Sequence, residues 1–376
     1  MGSFGRMLVL SQRGNRSEAS RSSLYEFEDQ LVQWEHAELF SPAAQAGRWA
    51  AVRRRSVNLA ARALDRATWA DPGLEGIALD GHYDLAVVAA EHLWDLATLN
   101  RIRGWRDQVA VTVLFIAELW VTDLSSPLFT RTAALIDTFD HVFISIPGTV
   151  GPLDALTTAS VNPLPFAGDV MRMLPRQLGA QRPLDVAVVG RRPTQIDALF
   201  SEERRAGRLR YYADQYASPT VVDHQRHRAS LYELVRLSKL WLCYPARFDD
   251  PERTDGQIHA GLRYYEALAG GATPAGGTVP GVRTGGGRPI DDMMLSLPED
   301  PGAVMSVVAA AISDRDRIEH AEREGVLAAL RGEDWAHRWL TLTEQVGLGS
   351  SRSALGQVER LEELARALER TGRCDP

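Results

Sequence analysis

Short, continuous apolar runs recur along the chain, separated by longer stretches of helical period. Arg6–Ser11 (RMLVLS), Asp84–Ala90 (DLAVVAA), Val109–Ala117 (VAVTVLFIA) and Phe139–Ser145 (FDHVFIS) each read as a strand with an apolar centre. That is the pattern of strands buried on both faces of a parallel sheet. Ser23–Glu35 reads as a helix, with Leu24, Phe27, Leu31 and Trp34 at helical spacing. Arg48–Trp69 reads the same way through Val57, Ala61, Leu64 and Ala67. A second series opens with the strand Leu184–Val189 and a helix from Pro193 to about Ala206. It continues with a weaker strand at Arg208–Tyr212, a helix at Leu231–Leu237 and a strand at Leu240–Tyr244.

From Gln257 the period turns helical again through Leu262, Tyr265, Leu268 and Ala269, and a short extended piece follows near Thr273. Asp300–Gly325 contains a helix. Asp334–Val346 is another, with Trp335, Trp339 and Leu342 on one face, and Ser353–Thr371 is amphipathic through Leu355, Val358, Leu361, Leu364 and Leu368. Strands alternating with helices predict parallel sheets covered on both faces. A chain of 376 residues is too long for one ordinary core, so two similar α/β units are expected. The Pro- and Gly-rich stretch Asn162–Asp169 closes the first unit. The expected division is 1–172, 173–346 and a terminal helical segment, 347–376.

Composition narrows the class. Apolar residues make up 45% and charged residues 24%, as in globular proteins. A net charge of −7 argues against a general nucleic-acid binder. The clusters Arg53-Arg54-Arg55 and Arg204-Arg205 read as solvated helix faces. Lys239 is the only lysine, so the abundance of arginine reflects a general bias rather than a function. Two cysteines, Cys243 and Cys374, imply neither a disulfide framework nor a zinc site, and a reducing cytoplasm is expected. No apolar run approaches the roughly 20 residues that span a bilayer. The start reads neither as a signal peptide nor, with Arg6 where Ser or Thr is needed, as a myristoylation site.

Ligands of open α/β sheets bind at the carboxyl ends of strands. That rule selects the Gln12–Ser22 loop, Glu91-His92, Glu118, Pro147-Gly148, Arg191-Arg192, Pro245–Asp255 and the Gly270–Gly287 region. Gly14 would permit close backbone approach by a ligand. The loop lacks a full Gly-x-Gly-x-x-Gly fingerprint, which argues against a dinucleotide-dependent dehydrogenase. Arg191 is placed for a bidentate contact with a diphosphate. Lys239 is either a surface lysine or a second phosphate ligand. Asp255-Gly256 is either a turn or a contact for sugar hydroxyls. Glu118 and His92 are rival candidates for a general base. His224 and His227 are three residues apart with no third ligand in support, and read as part of a surface loop or helix. Glu266 falls beside the buried face of its helix, so its carboxylate must be solvated or paired.

The stretch Arg263-Tyr-Tyr-Glu-Ala-Leu-Ala-Gly-Gly-Ala-Thr-Pro274 resembles the C-terminal signature of GT-B glycosyltransferases. It is most similar to the group-one, glycogen-synthase-like branch and to spore-coat-type glycosyltransferases. The resemblance implies two Rossmann-like domains facing across a cleft, with the last helices crossing back onto the first domain. It implies that Glu266 binds the ribose hydroxyls of a nucleotide-sugar, with Gly270, Gly271 and Thr273 near base and phosphates. Arg191 resembles the family's Gly-Arg phosphate turn, and Lys239 would stand in for a missing downstream lysine. Ile258 occupies the place of a second glutamate found in many relatives, and Asp255 is the nearest acidic substitute. The implied reaction transfers a sugar, with retention, to a hydroxyl or amine of a small-molecule, glycan or protein acceptor. No resident cofactor or metal is implied. The co-substrate is a nucleotide-diphosphate sugar, with uridine first and guanosine or thymidine next. The alternatives are a catalytically silent scaffold of the same fold and a sugar-nucleotide epimerase.

Overall fold

The computed structural model describes residues 5–45, 47–64, 69–214, 220–349 and 351–371. Ala67 and Cys374 lie outside the described residues. In the first unit the strands are β1 (Met7–Leu10), β2 (Glu38–Phe40), β3 (Ile77–Ala78), β4 (Tyr83–Ala90), β5 (Ile102–Arg103), β6 (Val109–Ile116), β7 (His141–Ile144) and β8 (Ser160–Pro163). Six of them form one parallel sheet in the order β2-β1-β4-β6-β7-β8, and β3 pairs with β5 apart from it. The helices here are α1 (Ser22–Glu35), α2 (Arg48–Ala63), α3 (Pro127–Ile136) and α4 (Val150–Asp154); α5 (Val170–Met173) follows the crossing and packs in the core of the second unit.

The apolar runs are continuous because both faces of the sheet are covered. Leu8, Leu10, Ala86, Val88, Leu114 and Ile116 point into one core, and Val9, Leu85, Val87, Val113 and Phe115 into the other. That alternation is the two-residue period of a strand read on both sides. Short β2 and β8 were not evident from apolar pattern, since neither has a long apolar run.

The second unit holds β9 (Leu184–Val188), β10 (Tyr211–Ala213), β11 (Ser238–Cys243), β12 (Thr273–Gly276) and β13 (Leu295–Ser296), parallel in the order β10-β9-β11-β12-β13. Its helices are α6 (Thr194–Arg205), α7 (His224–Arg236), α8 (Pro251–Thr254), α9 (Leu262–Ala269), α10 (Pro301–Ser313) and α11 (Arg315–Gly332). Asp314 divides the expected Asp300–Gly325 helix. It leaves the helical region and its side chain caps α11 through the Arg317 N–H, the usual work of an N-cap aspartate. Two helices follow, α12 (Trp335–Gln345) and α13 (Arg352–Thr371).

The chain returns to the first unit earlier than the sequence suggested. Trp335, Trp339 and Leu342 of α12 lie in the first unit's core beside Phe27 and Phe115. By core membership α12, expected in the second unit, therefore belongs to the first. Helix α13 is shared: Ala354 joins the same core, while Leu361, Ala365 and Leu368 pack with Val326 and Ala329 of α11. The two places where the chain changes units lie side by side. The Gly168 N–H donates to Glu333 O (3.0 Å) and the Trp335 N–H to Gly168 O (3.1 Å).

Beside this crossing sits a buried acidic group. Burial first, and then the Glu26 charge, push the Asp169 carboxyl up to about 6 from an ordinary 3.8. A carboxyl raised on folding contributes stability that is full below its unfolded value and is lost as pH rises through its folded one. Asp169→Asn keeps the cap on the Arg172 N–H, and the Gln30 amide can turn over to meet it. Stability measured by urea unfolding should therefore fall from about pH 4 to about pH 7 more in the wild type than in Asp169→Asn.

Candidate active site in the interdomain cleft

Strand order reverses between β1 and β4 in the first sheet and between β9 and β11 in the second. Such switch points open a crevice at the carboxyl ends of the strands. The two crevices face each other, and side chains from both units meet between them.

On the first-unit side, Glu118 follows β6. Its carboxylate accepts from Trp120 Nε1 (3.1 Å) and from Arg247 Nε (2.5 Å), which reaches across from the loop after β11. Arg247 adopts φ 56°, a left-handed conformation uncommon for a large side chain. Burial works to raise the Glu118 carboxyl, but the Arg247 and Trp120 hydrogen bonds outweigh it and hold the carboxyl below its ordinary value. Arg21 makes a bidentate pair with Asp95 (2.7 and 3.1 Å) and reaches Glu91 (3.1 Å). His92 is partly exposed beside them, its Nε2 4.0 Å from the Glu91 carboxylate.

His259, just before α9, is buried between Trp120 and Phe166. Its Nε2 lies 3.4 Å from Ser145 Oγ at the end of β7, and its carbonyl accepts from the Ala246 N–H. Burial pushes the imidazole down to about 4, so it stays neutral. A small cavity lies between Glu91, Glu118, Ala246 and His259.

On the second-unit side, the carboxyl end of β9 carries two partly exposed arginines. Arg191 has only a 3.7 Å approach to Asp249, at 39% side-chain exposure. Arg263, in the first turn of α9, donates to Val189 O (3.1 Å) and is paired with Glu266. Glu266 is wholly buried, one oxygen on Arg263 and the other on Arg228 of α7. Arg228 also pairs with Glu26 of α1 (3.2 Å), so a four-member ladder of alternating charge links the units. Burial opposes ionisation of Glu266, and the two guanidiniums override it and keep the carboxyl below its usual range.

No family model matches the chain, and no curated protein matches it in sequence. In three dimensions it is similar to OtsA in its apo form, at 11% identity and a TM-score of 0.52, over 90% of this chain and 99% of that one. It is also similar to HepE from Anabaena in complex with UDP-glucose, at 11% identity and a TM-score of 0.49, over 91% and 99%. A putative UDP-N-acetylglucosamine 2-epimerase from Listeria monocytogenes aligns at 10% identity and a TM-score of 0.41, over 92% and 97%.

The chain has the GT-B fold. In this GT-B frame α9 runs antiparallel to the strands, so its first turn faces the cleft and its last turn leads away from it. Only some of the expected donor residues therefore reach the cleft. Arg191 does. Gly270 and Gly271 end α9 at the opposite edge of the sheet, where the Gly270 carbonyl accepts from Arg182 and a Cβ on Gly271 would meet Arg182 at 2.7 Å. Thr273 begins β12 at that same edge. Lys239, second in β11, is there too, 3.0 Å from Asp185. These four close the amino edge of the sheet and do not meet the cleft.

Asp255 and Gly256 both have positive φ (47° and 75°), so this dipeptide is a turn at the end of α8. Gly14 approaches its own chain: a Cβ there would lie 2.6 Å from Pro42 O. His224 bridges the units through Asp29 (2.8 Å). Glu118, ionised and tied to Arg247, is a cross-cleft strut rather than a base near neutrality. Sequence reasoning passed over Arg247, His259 and Arg263. Arg247 lies within the strand-end segment Pro245–Asp255, and His259 and Arg263 flank the start of the helix that holds Glu266. Strand-end position was thus the signal, and side-chain direction was what the sequence lacked.

Proposed function

We propose that this chain is a glycosyltransferase that moves a sugar from a nucleotide-diphosphate sugar to an acceptor hydroxyl or amine. The observation that carries the reading is the pair Arg191 and Arg263, partly exposed at the switch point of the second sheet. Two guanidiniums at one strand end suit a diphosphate, whose oxygens they meet in bidentate fashion. Their charge also stabilises the diphosphate as a leaving group. Glu266 acts here by aiming Arg263, since both carboxylate oxygens are already engaged. The resemblance of Arg263–Pro274 to the group-one signature supports the same donor class, with a uridine carrier first, and retention at the anomeric carbon.

The acceptor would enter on the first-unit side. A cavity of about 180 Å³ there is lined by Gln12, Asn15, Arg16, Trp94, Asp95 and Thr98. His92, partly exposed after β4 and beside Glu91, is our candidate for the side chain that takes the acceptor proton.

The test is a panel of uridine, guanosine, thymidine and adenosine diphosphates against thermal unfolding. A ligand at 100 times its Kd stabilises by about 2.7 kcal/mol, enough to see as a raised midpoint. One diphosphate should raise the wild-type midpoint. Arg191→Ala and Arg263→Ala should each weaken its binding by roughly tenfold to more than a hundredfold, as for loss of a charged hydrogen bond. The second reading, a catalytically silent scaffold, is favoured by Ile258 in place of the second glutamate and by the engaged Glu266. It wins if no diphosphate shifts the wild type. Conversion of the nucleotide-sugar into its epimer without any acceptor and with no net release of nucleotide would point instead to an epimerase.

A further inference from the structure

Helix α2 is packed on one side and bare on the other. Val57, Asn58 and Ala61 face the first unit. Asn58 exchanges hydrogen bonds with the Asp71 backbone at 2.8 and 3.0 Å, and Arg54 lies against Gly73. On the opposite face Trp49 is 86% exposed, Val52 52% and Leu59 70%, and Leu64 just beyond the helix is 57% exposed. Positions 49, 52, 59 and 63 share that face at helical spacing. The helix carries five arginines and no acidic residue, in a chain of net charge −7. Arg48 and Arg55 flank the bare face on one side and Arg53 on the other, all exposed.

We propose that α2 is a docking helix for an anionic lipid surface. A helix with Trp and Leu on one side and arginines beside them lies in the membrane interface, with its apolar side in the headgroup boundary. Long arginine side chains reach from that depth to the phosphates. Among the described residues no helix is long and apolar enough to cross a membrane, so the contact is peripheral. A second copy of the chain fits this face poorly. Two-fold pairing would set arginines against arginines with no acidic residue of the helix to offset them. The inference is independent of the donor reading. Arg54 of α2 also lines the first-unit cavity of about 180 Å³, so docking would hold that cavity beside the lipid surface.

The experiment is cosedimentation of the full chain with vesicles of phosphatidylglycerol and phosphatidylcholine, compared with phosphatidylcholine alone. The wild type should bind the anionic vesicles and lose binding at high salt. Trp49→Ser with Leu59→Ser should weaken binding by at least about tenfold, and Arg48→Glu with Arg55→Glu should abolish it. All four side chains are exposed, so thermal midpoints should stay at the wild-type value. Failure of the wild type to bind anionic vesicles would overturn the proposal. So would vesicle binding that is indifferent to Trp49→Ser with Leu59→Ser. A solution dimer that this double variant dissolves, without vesicle binding, would assign the face to a second copy instead.

Discussion

Replacing Glu266 with alanine is expected to destabilise the protein by about 3–5 kcal/mol, the usual cost of removing one partner from a buried ion pair. Glu266 is fully buried, and the Arg228 side chain beside it is only 3% exposed. Without Glu266, Arg228 keeps Glu26 and its hydrogen bond to the Tyr232 hydroxyl (3.1 Å). Arg263 would lose the anchor that aims it along the end of β9, so nucleotide diphosphate binding should go as well. Two companion variants separate these effects. Glu266→Gln keeps the shape and one acceptor, and should cost less than alanine. Arg263→Met removes the half-exposed partner while the Glu26–Arg228–Glu266 part of the ladder survives. It should lose diphosphate binding with a smaller fall in denaturation midpoint than Glu266→Ala, because Arg228 stays on the Glu266 carboxylate. A Glu266→Ala protein within 1 kcal/mol of wild type by chemical denaturation would contradict the ladder as described.

Trp339→Ala should cost about as much, roughly 3–5 kcal/mol for a large aromatic removed from a core. Trp339 is wholly buried and meets Phe27 edge-on at a centroid distance of 6.5 Å. Its Nε1 donates to Glu35 Oε1 at 2.8 Å, and the other oxygen of that carboxylate has no hydrogen-bond partner among the described residues, so the truncation also strips Glu35 of this donor. The loss should appear in urea unfolding and as faster proteolysis within α13, whose start packs in the same core. Trp339→Phe, which keeps a ring but no donor, should lie between alanine and wild type. A Trp339→Ala protein as protease-resistant as wild type would show that α12 does not secure the start of α13 in the first unit's core.

Much of the fold was written in apolar pattern. Runs such as Val109–Ala117 are legible because burial on both faces removes every polar interruption but Thr112, which is bonded to Asp140. Strands β2 and β8 and the break at Asp314 were not, since their identity comes from neighbours and caps rather than from period. The site divided in the same way. Position at a strand's carboxyl end was readable, and it led to Glu118, Arg191 and the segment holding Arg247. The direction of α9 was not readable from its own residues. That direction decides that Arg263 faces the cleft while Gly270, Gly271 and Thr273 do not. Lys239 reads as lying at the start of the Leu240–Tyr244 strand, and there it stands at the amino edge of the sheet, a strand length from the cleft where a phosphate ligand is needed. The sequence required Glu266 to be solvated or paired, and it is paired. Its partners come from residues 3 and 38 positions away, and only the three-residue spacing was visible.

The side-by-side crossing at Gly168 and Asp334 bears on the order in which the protein is made. The first unit is the first to leave the ribosome, yet Trp335, Trp339 and Ala354, which complete its core, emerge only after the whole second unit. Until then α1 lies on the sheet face of Val9, Val87 and Phe115 without the Trp335 and Trp339 rings that pack on Phe27 and Phe115. The nascent chain therefore passes through a stage in which its earlier half is synthesised but cannot close. The second unit, by contrast, already has all five strands of its sheet when α12 appears. Folding in the cell should thus finish at the end that began, with α12 as the closing element and protection of that incomplete face as the step most dependent on chaperones.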